Sequence, residues 1–408
     1  MSVLDHACEV FTGYTGVAAG GQYIFHIPRR SVAHVGIGCH RTVSYSREGF
    51  TVTDAGGSRT VACAGDPIAQ APELLDPEHA SFWIISPDLA RRVHDPSLPL
   101  IHCIQPVEEV TIELPGDADR EGIPLPDQLA QGWQTQSDEA FLDRLRSGIA
   151  TLQAYPDGKM IITRSYRRDC AGRDPFALFK VFAASEPAAA CSHFLRIGDH
   201  AVSLGCSPEN VFEVHGGRLV FDVVAATRGK SSDPATDARW REALRNDPKE
   251  RREHMMAFER YLARIEGLVQ PGSVEIECQL EVLELGNVRH LFSRASGTLR
   301  EDRDWRGILA DSFPALVSYP DALQDAADPQ IEPLRFYGGI LGRVSADGQD
   351  AAFFLNLRAA LIAGDALHTQ GGVGVIAQSE PDKELLEVRN KLTGLFKAVA
   401  AWEAVPAD

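Results

Sequence analysis

The sequence predicts an α+β protein in which two antiparallel β-sheets pack face to face, helices cover the outside, and a functional site lies in the cleft between the sheets. Three tight-turn signals support this fold class, each flanked by β-branched or aromatic runs: I-G-D-H at 197–200, H-G-G-R at 215–218 and S-A-D-G-Q at 345–349. Turns this short join antiparallel neighbours. Neither half of the chain could bury such strands alone, so we expect the sheets to cover each other.

The remaining elements follow in chain order. The first 130 residues contain short β-rich runs such as G-Q-Y-I-F-H-I, and a Pro- and Asp-rich stretch at 114–127 predicts a loop. A helix is expected over 138–152, followed by repeated strand and turn units. Three longer helices are predicted further along the chain, at 236–246, 249–269 and 381–401. We expect the second to stop at Pro271-Gly272, and the third to start after Ser379 as N-cap with Pro381 in its first turn.

Composition and charge restrict the class of partner. The chain has 408 residues, 44% hydrophobic, and a formal net charge of −17, without a basic cluster long enough for phosphate binding. Nucleic acid and anionic membranes are therefore not expected as partners. The start of the chain lacks a basic-then-apolar run, and no stretch approaches eighteen apolar residues. These features predict a cytoplasmic protein, a monomer or weak homodimer, whose eight scattered cysteines are reduced.

Two acidic pairs suggest a metal site. Glu250 and Glu253 in one predicted helix, and Glu384 and Glu387 in another, are each three residues apart and so share a helix face. Four carboxylates brought together would form the all-oxygen environment that Mg²⁺ prefers. The alternative is that both pairs are ordinary solvated helix faces.

The order of motifs from 134 to 401 resembles the chorismate-utilising enzymes, which include anthranilate, aminodeoxychorismate, isochorismate and salicylate synthases. Ten segments carry the resemblance: G-K-M-I-I-T-R (158–164), C-S-P-E-N-V-F (206–212), A-A-T-R (225–228), D-P-K-E-R-R-E-H (247–254), V-R-H-L (288–291), F-P (313–314), R-F-Y-G-G (335–339), L-N-L-R (355–358), G-G-V-G-V-I (371–376) and E-L-L-E-V-R-N-K (384–391). The resemblance implies the two-sheet fold and a single domain over 1–408, with a divergent part at 1–130.

The resemblance also implies chorismate as substrate. The family adds water or ammonia at one ring carbon while a hydroxyl leaves from another, which requires a general base and a general acid. In the water-using branch the base corresponds to Lys159 and the acid to Glu209. The alternative for Lys159 is a surface lysine at a strand start. Taken alone, Glu209 would be read as a surface acid at a strand end.

The remaining site residues are expected from the same resemblance. Glu253 and Glu384 would bind Mg²⁺ directly, with Glu250 and Glu387 holding waters or outer positions. Groups expected to bind the substrate are Arg358, Tyr337, Lys391, Thr227, His290 and the backbone N–H groups around Gly372 and Gly374. His290 could instead be a core histidine, and His254 is expected to be structural.

Lys159 favours water over ammonia as the nucleophile, so no glutaminase partner is expected. The motifs favour salicylate synthase, with isochorismate synthase as the alternative and an ammonia-using anthranilate or aminodeoxyisochorismate synthase as another. Two segments depart from the family: Ala226 replaces the glycine of G-T-R, and V-S-Y-P-D at 317–321 replaces S-G-x-P-K. A catalytically inactive or retuned chorismate-binding homologue therefore stays open as well.

Overall fold

The computed structural model describes residues 2–13, 20–115, 122–199, 201–231, 233–285, 288–316, 318–320, 322–323 and 332–405, without the side chain of Glu253. Two β-sheets run through these residues, and every strand pairing recorded in them is antiparallel. The predicted α+β fold with two antiparallel sheets is confirmed.

Strands are numbered along the chain. The first sheet has eight strands in the order β8 (Glu108–Glu113), β2 (Val32–Ile37), β1 (Gly21–Ile27), β10 (Cys191–Ile197), β11 (Ala201–Ser207), β18 (Ala359–Ala363), β19 (Ala366–Val375) and β9 (Met160–Asp169). The second has eleven, in the order β14 (Glu275–Leu285), β15 (Val288–Thr298), β13 (Arg218–Gly229), β12 (Asn210–His215), β17 (Ala351–Leu355), β16 (Ile340–Val344), β6 (Ser81–Ile85), β7 (Ile101–Gln105), β3 (Arg41–Ser46), β4 (Gly49–Asp54) and β5 (Gly57–Val61). Strands from the first 130 residues thus contribute to both sheets.

The helices of the described residues are α1 (Val3–Gly13), α2 (Pro67–Gln70), α3 (Asp138–Leu152), α4 (Pro175–Ser185), α5 (Pro234–Asn246), α6 (Pro248–Glu266), α7 (Trp305–Ser312) and α8 (Pro381–Glu403), with 3₁₀ turns at Pro28–Arg30, Ala71–Leu74 and Pro87–Ala90. Helices α1, α4 and α8 bury apolar side chains against the outer face of the first sheet. Helices α6 and α7 cover the second sheet in the same way. None of the described helices is long and apolar enough to cross a membrane.

An aromatic core joins the inner faces of the two sheets. Phe25 of β1 lies 5.3 Å from Phe82 of β6 and 5.7 Å from Phe354 of β17, measured between ring centroids. Tyr23, two residues before Phe25, stacks on Phe82 at 4.8 Å. Ile24 between them points to the opposite face and packs among the outer helices. Because successive side chains of a strand point to opposite faces, β1 contributes both to the aromatic core and to the packing of the outer helices.

The predicted elements are largely confirmed. Hairpins join β10 to β11, β12 to β13 and β16 to β17 at the three predicted turns. Several helix bounds differ from the prediction by one to three residues: α5 begins at Pro234 and not at 236, and α8 ends at Glu403 and not at 401. Helix α6 ends at Glu266 and not at 269, because Leu268 closes a tighter turn onto Ile265 and Val269 forms a bridge to Leu299. The N-cap of α8 is Glu380 and not Ser379, whose hydroxyl instead accepts a hydrogen bond from the Ile376 N–H.

Candidate active site

One pocket lies where the two sheets meet the N-terminal turns of α6 and α8. It has a volume of about 180 Å³, enough for a small molecule. Twelve of the thirteen residues predicted for the site line it: Lys159, Glu209, Thr227, Glu250, His290, Tyr337, Arg358, Gly372, Gly374, Glu384, Glu387 and Lys391. The thirteenth, Glu253, lies in α6 with its side chain outside the described part of the structure.

Glu209 follows the end of β11 at the turn into β12. Its Oε1 accepts a hydrogen bond from the Val224 N–H at 3.1 Å. Burial raises the pKa of Glu209 from 4.5 to about 8, and the nearby Asp222 carboxylate adds to the increase, while Lys159 and Lys391 act in the opposite direction. The carboxyl is therefore protonated at neutral pH and able to act as an acid.

Lys159 precedes β9, and contacts of both its backbone and its side chain fix its position. Its backbone forms two hydrogen bonds with Tyr319, of 2.8 and 2.7 Å. Its side chain crosses Gly374 of β19, where a Cβ atom would lie 2.1 Å from Lys159 Cε. The divergent segment at 317–321 thus forms part of the support for Lys159. Tyr319 itself is 41% exposed and lies under Arg260, while Val317 and Asp321 fall outside the described residues.

A hydrogen-bonded chain orients Arg358. One guanidinium nitrogen donates to His290 Nε2 at 2.7 Å, and His290 Nδ1 lies 3.0 Å from Thr227 Oγ1. Because arginine only donates, His290 must accept at Nε2 and carry its proton on Nδ1. Burial and the neighbouring Arg358 and Lys391 charges hold the pKa of His290 well below its usual range, so the ring is neutral. His290 lines the pocket and is buried there.

Two further residues predicted for the site, Lys391 and Tyr337, lie against the Gly-rich strand β19. Lys391 Nζ donates to the Gly372 carbonyl at 3.1 Å. A side chain at position 372 would meet the Tyr337 hydroxyl at 3.0 Å. Gly372 therefore positions Lys391 through its carbonyl and leaves room for the Tyr337 hydroxyl, in addition to any direct role toward a substrate.

Ala226 lies in a bulge of β13 opposite β15 and has a φ of +58°. This left-handed conformation disfavours a side chain and suits glycine, which the resembling family has here. Ala226 lines the pocket, is only 8% exposed, and packs in an apolar cluster with Leu244 and Leu291. The departure at this position therefore places backbone strain at the pocket wall.

The carboxylates form an oxygen-rich wall on α6 and α8. Glu384 is 8% exposed, and burial together with the charge of Glu387 raises its pKa from 4.5 to about 7. Glu387 forms an ion pair with Lys391 at 2.7 Å. Carboxylate oxygens are the donors that suit Mg²⁺, so the donor set fits this ion. Among the described side chains, the oxygens of Glu250, Glu384 and Glu387 do not all come within 4.8 Å of one another.

Three polar residues at or behind the pocket wall were not predicted from the sequence. Glu186 is buried behind Arg358, with its carboxylate 3.9 Å from the guanidinium, and no motif marks it. Lys249 and Gln370 line the pocket. The sequence offered one signal for each: Lys249 directly precedes Glu250, and Gln370 directly precedes the predicted Gly-rich strand.

Comparison with known proteins settles the family. A family model described as chorismate binding enzyme matches residues 102–397. The chain belongs to the chorismate-binding enzymes. Anthranilate synthase component 1 of Streptomyces coelicolor is 30% identical over 344 residues, which cover 82% of this chain and 67% of that protein. Its counterpart from Haloferax volcanii is 35% identical over 217 residues, or 51% of this chain and 41% of that protein.

Solved structures share the fold over nearly the whole chain. A Bacillus anthracis protein assigned as a 2,3-dihydroxybenzoate-specific isochorismate synthase superposes with a TM-score of 0.76 at 18% identity, covering 97% of this chain and 99% of that one. Anthranilate synthase component I of Streptococcus pneumoniae gives a TM-score of 0.72 at 17% identity, covering 90% and 92%. At 18% and 17% sequence identity, these two comparisons show a shared fold and no more.

Proposed function

We propose that this chorismate-binding enzyme adds water to chorismate to form isochorismate, and then eliminates pyruvate to form salicylate. The observation that carries the proposal is the presence, in one pocket, of Lys159 and of a Glu209 carboxyl with a pKa of about 8. A hydroxyl is a poor leaving group, and its departure requires an acid that still holds a proton at neutral pH. Glu209 meets that requirement.

In the first step Lys159 takes a proton from a water molecule as the water oxygen bonds to the ring. The bond between the ring and the departing hydroxyl breaks, and Glu209 gives its proton to that hydroxyl, which leaves as water. One water is consumed and one is released. The Val224 N–H occupies Glu209 Oε1, which leaves Oε2 to carry the transferred proton.

The substrate anions would be held at two ends of the pocket. Arg358, oriented by neutral His290, suits a fixed contact with the enolpyruvyl carboxylate, with Tyr337 beside it. Mg²⁺ would neutralise the ring carboxylate. The residues that would hold the ion are Glu384 and Glu253, with Glu250 and Glu387 in outer positions. Because the chain carries a net charge of −17, such local positive charge is needed to attract a dianion.

In the second step the bond between the ring and the enolpyruvyl oxygen breaks. A hydrogen moves from the ring to the leaving group, which becomes pyruvate, and the ring becomes aromatic. This step depends on the position of the substrate more than on an external base. The contact of Arg358 with the substrate carboxylate would therefore be its main requirement. If the second step does not occur in this pocket, isochorismate is the final product.

A second candidate is an ammonia-using synthase that forms anthranilate. It is favoured by the curated relatives, which are named anthranilate synthase component 1 and of whose length this chain spans 41% to 67% in the two compared above. Lys159 argues for water instead, since a base is required to activate water but not ammonia.

Incubation of the purified chain with chorismate and Mg²⁺ distinguishes these functions. Salicylate together with equal pyruvate is the expected result. Isochorismate without pyruvate supports the shorter reaction, whereas an aminated product that requires ammonia or a glutaminase supports the second candidate. Unchanged chorismate under all conditions would indicate an inactive or retuned homologue.

A further inference from the structure

A cluster of ligand-type side chains lies outside the pocket, beside strands β3 and β6. His40 precedes β3, and Asp76 and His79 lie in the loop before β6. His40 Nε2 is 3.0 Å from Asp76 Oδ2, and one ligand atom from each of the three residues lies within 4.8 Å of the others. In the part of the chain that the structure describes, no other group of three histidine, cysteine or acidic side chains has this spacing.

A single buried glutamine organises the cluster. The Gln105 side chain accepts from the Asp76 N–H at 2.8 Å and donates to the carbonyls of Asp76 and His79 at 2.7 and 3.1 Å. The Gln105 carbonyl accepts from the His40 N–H at 2.9 Å. Gln105 is fully buried. All three backbones are thus fixed to one residue, as outer partners fix the ligands of a metal site.

The side-chain hydrogen bonds leave ligand atoms available in the cluster. His79 Nδ1 donates to the Pro106 carbonyl at 3.2 Å, so its proton is on Nδ1 and Nε2 presents a lone pair. Asp76 Oδ1 accepts from the Glu78 N–H at 3.1 Å, which directs Oδ2 toward His40. The two imidazole rings stack with centroids 3.9 Å apart, so binding of one ion by both rings requires one ring to turn out of the stack. A bound cation would take the place of the proton shared by His40 and Asp76.

We propose that His40, Asp76 and His79 form a binding site for a divalent transition metal ion such as Zn²⁺ or Co²⁺. Two imidazoles and one carboxylate suit these borderline ions, whereas Mg²⁺ prefers oxygen ligands alone. Three protein ligands leave at least one coordination position for water. The ion would tie the loop before β6 to the start of β3, and its binding is independent of the reaction proposed for the pocket.

Calorimetric titration with Zn²⁺, in the presence of saturating Mg²⁺ to occupy the glutamate wall, tests the proposal. We expect one equivalent to bind, and His40→Gln and His79→Gln to weaken binding by more than about 100-fold, since loss of even an outer partner costs about 10- to 100-fold. Asp76→Asn should do the same with little change in shape. His94→Gln, which removes a histidine elsewhere, should bind as the natural chain does.

Folding of each variant is checked by circular dichroism, and Co²⁺ absorption in the visible range reports the ligand set directly. The side chains of His40 and Asp76 are 32% and 26% exposed, so their replacement is compatible with folding. Absence of Zn²⁺ binding by the natural chain, or undiminished binding by both histidine variants, would overturn the proposal.

Discussion

The side chain of Lys159 fills the space above Gly374, so that a methyl group at position 374 would lie 2.1 Å from Lys159 Cε. The clash would involve the far end of a flexible side chain and not the strand backbone. The lysine would therefore move while β19 stays in place. The glycine at 374 thus determines where the proposed general base lies relative to Glu209.

Replacing Gly374 by alanine should lower kcat for chorismate by about 100-fold, because displacement of a reacting group by an ångström has that order of effect. Stability should change little, since the lysine end can swing away. Steady-state kinetics and thermal unfolding of the variant measure both quantities.

Gly307→Ala is the matched control for this substitution. Gly307 lies in α7, and an added Cβ atom would meet no atom within 4 Å. This variant should retain full activity. If Gly374→Ala is as active as Gly307→Ala, Lys159 does not depend on the space above Gly374 and its assigned role loses support.

The raised pKa of Glu209 sets the direction of the pH dependence. The protonated carboxyl is the active form, so kcat/KM should fall by about tenfold per pH unit as the pH rises above about 8, where Glu209 loses its proton. Below that value the acid stays protonated and does not limit the rate. A pH–rate profile in chorismate measures this limb.

Glu209→Gln provides the control for the pH profile. It should reduce activity by about 100- to 10,000-fold, the usual contribution of an acid or base. Its remaining activity should lack the alkaline limb. A limb that persists unchanged in this variant assigns the titration to another group.

Ala226→Gly should stabilise the chain by about 1 kcal/mol, because glycine adopts the φ of +58° without the steric cost that alanine bears. Ala225→Gly is the matched control. Ala225 is not among the residues with positive φ, so this substitution should lower the free energy of unfolding by about 0.5–1 kcal/mol. Denaturant unfolding measures both. Equal destabilisation by both substitutions would contradict the strained conformation at Ala226.

Chelation with EDTA should abolish turnover, and added Mg²⁺ should restore it. Glu384→Gln should lose most of the metal-dependent activity, because Glu384 is buried at the pocket wall and one ligand charge disappears at nearly constant volume. Glu380→Gln, at an exposed acid before α8, is the control and should behave as the natural chain does. Full activity of the EDTA-treated protein would show that the reaction does not require a metal ion.

Local patterns predicted the elements that depend on short-range physics. The glycine pair at 216–217 specifies the turn from His215 to Arg218, and Pro381 marks the start of α8. Helix α1 was missed, although Val3, Leu4, Ala7 and Phe11 have helical spacing, because its apolar face becomes meaningful only against the first sheet. The division of the first 130 residues between both sheets likewise depends on pairings with strands far along the chain.

The candidate site shows the same limit. The family resemblance located the residues of the pocket, but Glu186 could not be found because its role depends on a contact with Arg358, 172 positions away. The change at Ala226 was visible in the sequence as an added methyl group. Its left-handed backbone was not, because the bulge arises from the pairing of β13 with β15.

The most direct test of the central claim follows the oxygen atom that is added to the ring. Chorismate is converted by the chain and Mg²⁺ in water labelled with the heavy oxygen isotope, and the products are analysed by mass spectrometry. Water addition predicts salicylate whose ring hydroxyl carries the label, with equal pyruvate, and loss of this product in Lys159→Ala. Unlabelled salicylate, or an aminated product that forms only with ammonia and persists in Lys159→Ala, would contradict the account.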